Sequence, residues 1–237
     1  MSPTVQGEDY GKYAREAIYA VDVPDVLTVQ TLLIIAINEW GVGNGYKAWM
    51  YSGMAIRMMQ SLLILIKPGT LLELEQEVQN RTLWSCFILD RLIFCGKSQP
   101  PALSISSLYT HWPIGERDFA FGQSSGPRHV MIEGQGLLQH MKGDIDHYYS
   151  ILVRGFDIWS RILKWIVSGG RRQQGMCLPE NHPWIEGSPW RSMYDELCAW
   201  RELHEPRIRY PETQVEGHAS LGQGEICGYL NLLYFVR

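Results

Sequence analysis

Apolar residues recur along this chain at the three- and four-residue steps of helices, and the two-residue alternation typical of strands is almost absent. The segment 26–40 is apolar at nearly every position, which predicts a helix that is buried over most of its circumference. Asp25 or Thr28 can cap its first turn, and Gly41 stands where a glycine commonly follows the end of a helix. A shorter helix is predicted over 10–20.

Two long helices are predicted after the glycine-rich turn at 41–45. The first spans 45–64 and begins after Asn44, which is a plausible N-cap. Its predicted apolar face consists of Trp49, Met50, Met54, Ile56, Met58 and Met59, and its polar side of Lys47, Ser52 and Gln60. The second helix spans 71–95, with a polar, solvated first half and a second half that is apolar nearly all round.

The remaining sequence predicts one long loop and three more helices. Proline and glycine punctuate 97–138, which indicates an extended loop that wraps over the helices and contains one short helical turn. A helix is predicted over 143–168, where apolar residues share one face. Two more are predicted over 188–203, with Ser188 as N-cap, and over 220–237.

These elements together predict an all-α fold, an irregular multi-helix bundle with long wrapping loops. We divide the chain into an N-terminal helical segment at 1–24, a central part at 25–108 and a C-terminal helical part at 109–237. The last two belong to the same domain in this interpretation.

Composition supports a globular protein and weighs mildly against a surface that grips nucleic acid. Apolar residues make up 46% of the 237 and charged residues 19%, with a formal net charge of −4. A domain that binds DNA directly usually carries a basic face. No apolar run approaches the length that spans a bilayer, so we expect no membrane contact.

Cysteine usage indicates reduced thiols and no metal centre in this chain. The five cysteines are widely separated and no C-x-x-C occurs, so a structural zinc site is not expected. Burial as free thiols is the simpler interpretation. The five are Cys86, Cys95, Cys177, Cys198 and Cys227.

A search for catalytic motifs finds none. The glycines of the 41–45 turn follow a helix rather than a strand and lack the dinucleotide-binding spacing, and the seven histidines are scattered. One basic group is a candidate anion-binding surface, and an ordinary solvated face is its simpler interpretation. That group is Arg154, Arg161, Lys164, Arg171 and Arg172.

Four charged residues lie inside or beside apolar helical runs: Arg57, Arg81, Asp90 and Arg91. Buried charges require partners, so we expect ion pairs between helices, with Asp90 and Arg57 as the first candidate pair. The alternative is that Arg81 and Arg91 extend past their apolar stems into solvent.

Tryptophan and methionine are prominent in the same region. Trp40, Trp49 and Trp84 are predicted to be core anchors, with a role in stacking on a ligand as the alternative. The methionines at 50, 54, 58 and 59 are predicted to be adaptable packing, with a pliable effector pocket as the alternative.

Two segments carry a resemblance to a known family. They are VQTLLIIAINEWGVGNGYKAWMYSGMAIRMMQSL at 29–62 and RTLWSCFILDR at 81–91. Over about 25–108 the chain resembles the regulatory, or middle homology, domain of fungal zinc-cluster transcription factors, of the xylanolytic-activator type. It departs from the family pattern at 96–101, where GKSQPP replaces G-R-P-P, and at Leu83, which replaces a common aromatic residue.

The resemblance implies a nuclear protein that regulates transcription through the transcription machinery, co-regulators or a small-molecule effector. Family members carry zinc in a separate six-cysteine DNA-binding cluster, and nothing in this chain supplies it, so no cofactor is expected here. DNA would then be reached only through a missing module or through a partner. The expected motif core is Trp40, Trp49, Arg57, Arg81, Trp84, Asp90 and Arg91.

We expect a non-catalytic regulatory domain whose helices repack between two states. The alternative is a helical enzyme or ligand-binding protein with a pocket under the 97–138 loop. A third interpretation is a truncated product, since the last predicted helix runs to the final residue without a stop signal.

Overall fold

A computed structural model describes residues 11–16, 18, 23–65, 71–94, 101–104, 108, 110–123 and 145–235. These residues form α-helices joined by turns and 3-10 segments and contain no β-sheet, which confirms the all-α fold class. Within the predicted loop at 97–138, the structure describes residues 101–104, 108 and 110–123, and these include one short helix. The other residues of the loop lie outside the described ranges.

Eight helices have defined bounds in the described part of the chain. They are α1 (Val26–Gly41), α2 (Gly45–Leu65), α3 (Glu73–Phe94), α4 (Glu116–Ala120), α5 (Tyr148–Val167), α6 (Pro189–Glu202), α7 (Val215–Ser220) and α8 (Gly224–Phe235). A short stretch at 11–16 is also helical. The helix predicted over 220–237 is found as α8, which begins at Gly224 after a turn at Gly222, whose φ is +70°. The short helix α7 before that turn was not predicted.

The described residues form two compact units. The first contains those from 11 to 94 together with 101–104, and the second contains those from 108 onward. The division at 1–24, 25–108 and 109–237 remains a prediction.

The first unit is a packed set of α1, α2 and α3. Asp25 caps α1, because its carboxylate accepts from the Thr28 amide at 2.8 Å and from the Thr28 hydroxyl at 2.6 Å. The glycine that takes the left-handed conformation after α1 is Gly43, with φ +84°, and not Gly41, which is the last residue of the helix.

The buried face of α2 combines small residues with part of the predicted apolar face, since Ile56 and Met59 are buried as expected. Ala48, Ser52 and Ala55 are almost completely buried, whereas Trp49 and Met50 are at least half exposed. Small side chains at helical spacing allow neighbouring elements to pack closely against this part of α2. The prediction that Ser52 lies on the polar side is therefore wrong.

Two further expectations about burial are also wrong in part. Leu27, Ile34 and Ile37 of α1 are exposed, so this helix is buried on one face only. In the first half of α3, which is predicted to be solvated, Glu77 and Asn80 are buried.

The second unit is organised around α5, which packs against α6 and α8. Ser188 caps α6 as predicted, accepting from the Arg191 amide at 3.2 Å. The core of the second unit includes Trp200 of α6, whose indole N–H donates to the Ile151 carbonyl of α5 at 3.3 Å.

At Gly155, α5 closely approaches side chains of α6 and α8. A Cβ at this position would lie 2.7 Å from Trp200 Cζ2 and 2.9 Å from Leu233 Cδ1, and both of these side chains are buried. We expect Gly155→Ala to lower the free energy of unfolding by about 1–3 kcal/mol through overpacking. Urea denaturation followed by circular dichroism measures it.

The matched control is Gly228→Ala in α8, where a Cβ would meet nothing within 4 Å. We expect this change to be neutral or stabilising by up to about 1 kcal/mol, since alanine favours the helix. Equal effects of the two substitutions would contradict the packing described at Gly155.

Candidate functional site

The candidate site is an open groove in the first unit with a volume of about 490 Å³. This volume lies within the range of about 300–1,000 Å³ that is usual for small-molecule sites. We define the groove by its lining residues, which are Trp49, Met50, Ser52, Gly53, Met54, Ile56 and Arg57 of α2, Asp90 of α3, and Ala102.

The walls of the groove are mostly apolar and adaptable. Trp49, Met50 and Met54 are exposed by 50%, 58% and 43%, which is unusual for side chains of this size. Methionine can adopt several shapes at little cost, so these walls can adjust to an occupant.

Beside the groove, two buried charged residues of α3 hold residues 101–104, which we call the strap. Asp90 Oδ2 accepts from the Leu103 amide at 3.0 Å and from Arg91 Nη1 at 3.0 Å. Arg91 Nη2 donates to the Leu103 carbonyl at 2.5 Å, so both backbone groups of Leu103 are bound. Ala102, the preceding residue, lines the groove.

Burial raises the pKa of Asp90, and the amides of Leu103 and Ala102 and the charge of Arg91 oppose that rise. The guanidinium of Arg91 also stacks on the Phe87 ring, 3.6 Å from its centroid. Because the Asp90 carboxylate accepts from both Arg91 and the Leu103 amide, its protonation would weaken the contacts that hold the strap.

The cysteine next to this cluster is unreactive. Burial, with a smaller contribution from Asp90, raises the pKa of Cys86 to about 12, so it stays a thiol. Cys86 and Cys227 are buried free thiols, and Cys95 lies outside the described residues.

The structure corrects the predicted charge pairing. The pair between Asp90 and Arg57 does not form; Arg57 is exposed and donates to Gln60 Oε1 at 3.0 Å. Arg81 pairs with Glu77 one turn earlier in α3, and Asp90 pairs with its neighbour Arg91. Burial of charge is nevertheless correct for Asp90 and Arg91, which are 6% and 3% exposed.

The three tryptophans of the motif differ in their roles. Trp84 is fully buried against Phe87 in an edge-to-face contact, as predicted for a core anchor. Trp40 and Trp49 are 43% and 50% exposed, so the core-anchor prediction is wrong for both. Both helices carry more apolar side chains than one buried face can hold, so some large apolar residues remain exposed to solvent.

The groove thus brings together only part of the predicted motif core, namely Trp49, Arg57 and Asp90. Arg91 contacts Asp90 beside the groove, and Trp40, Arg81 and Trp84 do not line it. Sequence reasoning missed Ser52 and the strap residue Leu103. The small-residue spacing of Ala48, Ser52 and Ala55 is a signal for Ser52, whereas no pattern in the sequence indicates that Leu103 is bound by Asp90.

The predicted anion surface in the second unit is partly neutralised by carboxylates. Arg161 donates two hydrogen bonds to Glu196, at 2.7 and 2.5 Å, and one to Asp157 at 3.2 Å. Burial lowers the pKa of Arg154, and the charges of Glu196 and Asp157 oppose this. Arg171 and Lys164 are exposed.

His204 in the same unit is buried without charge. Burial and the nearby charges of Arg154, Arg209 and Arg201 lower its pKa to about 4. Because the unfolded chain binds the proton near pH 6.5 and the folded chain does not, the associated stability is complete above pH 6.5 and is lost as pH falls toward 4. We expect this group to account for a loss of about 3 kcal/mol over that range.

Urea titrations at several pH values, for the wild type and for His204→Gln, measure this contribution. The variant should lose less stability than the wild type between pH 6.5 and pH 4.5. An identical pH dependence in both proteins would show that His204 does not carry the effect.

No group of His, Cys, Asp and Glu side chains suited to a metal ion occurs among the residues that the structure describes. In the same described ranges, no helix is long and apolar enough to cross a membrane.

These features belong to a regulatory class of helical domain. The chain is a member of the family described as the fungal specific transcription factor domain, whose model matches residues 6–201. No solved structure matches the chain.

Several curated relatives are named as transcription regulators. An uncharacterized transcriptional regulatory protein of Schizosaccharomyces pombe is 26% identical over 98% of this chain and 25% of its own length. A Zn(2)-C6 fungal-type transcription factor of Fusarium oxysporum is 24% identical over 91% of this chain and 25% of its own length. The nitrogen assimilation transcription factor nit-4 of Neurospora crassa is 34% identical over 37% of this chain and 7% of its own length. The chain thus spans about a quarter of the length of the first two relatives.

Proposed function

We propose that this chain is a regulatory region that modulates DNA-templated transcription in the nucleus through protein contacts or a small effector. Membership of the transcription factor family supports this proposal, and so do the relatives named as transcription regulators. Since the 237 residues contain no C-x-x-C, contact with DNA would come through another module, of the same polypeptide or of a partner.

The observation that carries the mechanism is the binding of Leu103 by both Asp90 and Arg91 beside the groove. A strap held by two buried charges has a bound state and a released state. An occupant of the groove contacts Asp90 and Ala102, so it can favour one state over the other. The surface available to co-regulators would then differ between the bound and the released state of the strap.

An enzyme is the less favoured alternative. Among the described residues that line the groove, Asp90 is the one carboxylate, and it is already engaged by Arg91 and by backbone amides. General acid–base chemistry needs a second group within reach of the same substrate.

The test is a reporter assay with the chain fused to an unrelated DNA-binding module in a fungal host. Asp90→Asn removes the charge that holds Arg91 and weakens the hold on the strap. A shift of about 1–2 kcal/mol in a two-state equilibrium changes populations about 5–30-fold, so reporter output should change several-fold at equal protein level.

Lys47→Gln is the matched control, because it removes an exposed charge of α2 that does not line the groove. Arg91→Lys is the second test variant, since it keeps the charge while losing the fork that reaches Leu103. If Asp90→Asn and Arg91→Lys are both folded and both leave reporter output unchanged, the proposed mechanism is overturned.

A further inference from the structure

One hydroxyl that lines the groove makes no hydrogen bond to the described part of the protein. Ser52 is 2% exposed and lines the groove, and within the described part of the chain its hydroxyl has no hydrogen-bond partner. Serine inside a helix commonly donates to the carbonyl one turn earlier, and Ser61 of the same helix does so to Arg57. Because Ser52 lines the groove, its hydroxyl is available to a ligand that carries a hydrogen-bonding group.

Space is left open next to this hydroxyl. Gly53 also lines the groove, and a Cβ at that position would meet nothing within 4 Å. Because Gly53 lies between Ser52 and Arg57 along α2 and one turn before Arg57, its missing side chain leaves room for a ligand group between them.

The charges that border the groove favour an anion. The carboxylate of Asp90 is compensated by Arg91 and by backbone amides, whereas the guanidinium of Arg57 has only the neutral amide of Gln60 as its hydrogen-bond partner among the described residues. The uncompensated charge at the groove is therefore positive. Arginine binds carboxylates more strongly than it binds neutral groups.

We propose that the groove binds a small apolar carboxylic acid. Its apolar body lies against Trp49, Met50 and Met54, and its carboxylate accepts from the Ser52 hydroxyl and pairs with Arg57. This assignment deepens the proposed function, on which it rests for its regulatory meaning, by naming the chemical class of the effector.

The test is a binding titration of the complete 237-residue chain, labelled with ¹³C at the methionine methyl groups. Three probes share one apolar body: 4-phenylbutyrate, 4-phenylbutanol and 4-phenylbutylamine. Shifts should occur at Met50 and Met54 and not at Met176 or Met193, which lie in the second unit. We expect phenylbutyrate to bind about tenfold more tightly than the amine, as one charge-assisted hydrogen bond implies.

Three variants assign the contacts. Arg57→Gln should abolish the preference for the acid over the alcohol, and Ser52→Ala should weaken both about threefold. Gly53→Leu fills the open space while improving helix propensity, so it should abolish binding in a folded protein. Lys47→Gln is the control and should leave all three affinities unchanged.

Equal affinity for acid and amine, or binding that survives Gly53→Leu, would overturn the assignment of the ligand class. So would shifts confined to the second unit. These failures are distinct from that of the proposed function, which the reporter response to Asp90→Asn tests without any ligand added.

Discussion

Replacing Arg91 with methionine is expected to lower the free energy of unfolding by about 3–5 kcal/mol, because it leaves the Asp90 carboxylate buried without its cation. Both side chains are less than 10% exposed, so solvent cannot replace the lost partner. Loss of the stacking contact with Phe87 and of the bond to the Leu103 carbonyl adds to the effect. Urea denaturation at pH 7 measures the change.

Two controls separate the buried pair from a general effect of losing arginine. Arg57→Met removes an exposed arginine, and we expect it to cost less than about 1 kcal/mol. The double variant Asp90→Asn with Arg91→Met should be more stable than Arg91→Met alone, because no buried charge is left uncompensated. A double variant that is less stable than Arg91→Met alone would contradict this account.

The second large effect is expected at Trp84. Trp84→Ala should lower the free energy of unfolding by about 3–5 kcal/mol, because the indole is fully buried and in edge contact with Phe87. Trp40→Ala and Trp49→Ala remove the same side chain from exposed positions, and we expect each to cost less than about 1 kcal/mol.

Chemical denaturation of the three variants side by side checks this ordering. The comparison is informative because all three tryptophans belong to the same family motif and all three were expected in the core. A loss at Trp49 as large as that at Trp84 would place Trp49 in the core and remove the adaptable wall of the groove.

Much of the helical architecture could be predicted from the sequence because it depends on local signals. Asp25 and Ser188 act as caps, and the apolar periodicity of α5 places one face against its neighbours. The glycine-rich turn at 41–45 precedes α2, and the sequence Lys67-Pro68-Gly69, which disfavours a helix, separates α2 from α3. The short helix α7 was missed, and the predicted last helix begins at Gly224 rather than near Ser220.

The orientation of the helices could not be predicted in the same way. Hydrophobicity ranks tryptophan and methionine above alanine and serine, so it places Trp49 and Met50 inside and Ser52 outside. In the fold, Ser52 is buried together with Ile56 and Met59, whereas Trp49 and Met50 are at least half exposed. Which face of a helix is buried then depends on the partner helix, which a single segment does not encode.

Partners of buried charges are also set by the tertiary fold. Asp90 was correctly expected to need a partner, but its partners are the adjacent Arg91 and the backbone of Leu103, thirteen residues away. Backbone amides are present at every residue, so no sequence pattern distinguishes Leu103 from its neighbours.

The central claim is that the hold of Asp90 and Arg91 on the strap sets the regulatory output. The most direct measurement is hydrogen exchange at the Leu103 amide, combined with reporter output, in the wild type, Asp90→Asn, Arg91→Lys and Lys47→Gln. The account predicts that output follows exchange at Leu103 across the four proteins and is the same for Lys47→Gln as for the wild type. Faster exchange at Leu103 without any change in reporter output would contradict it.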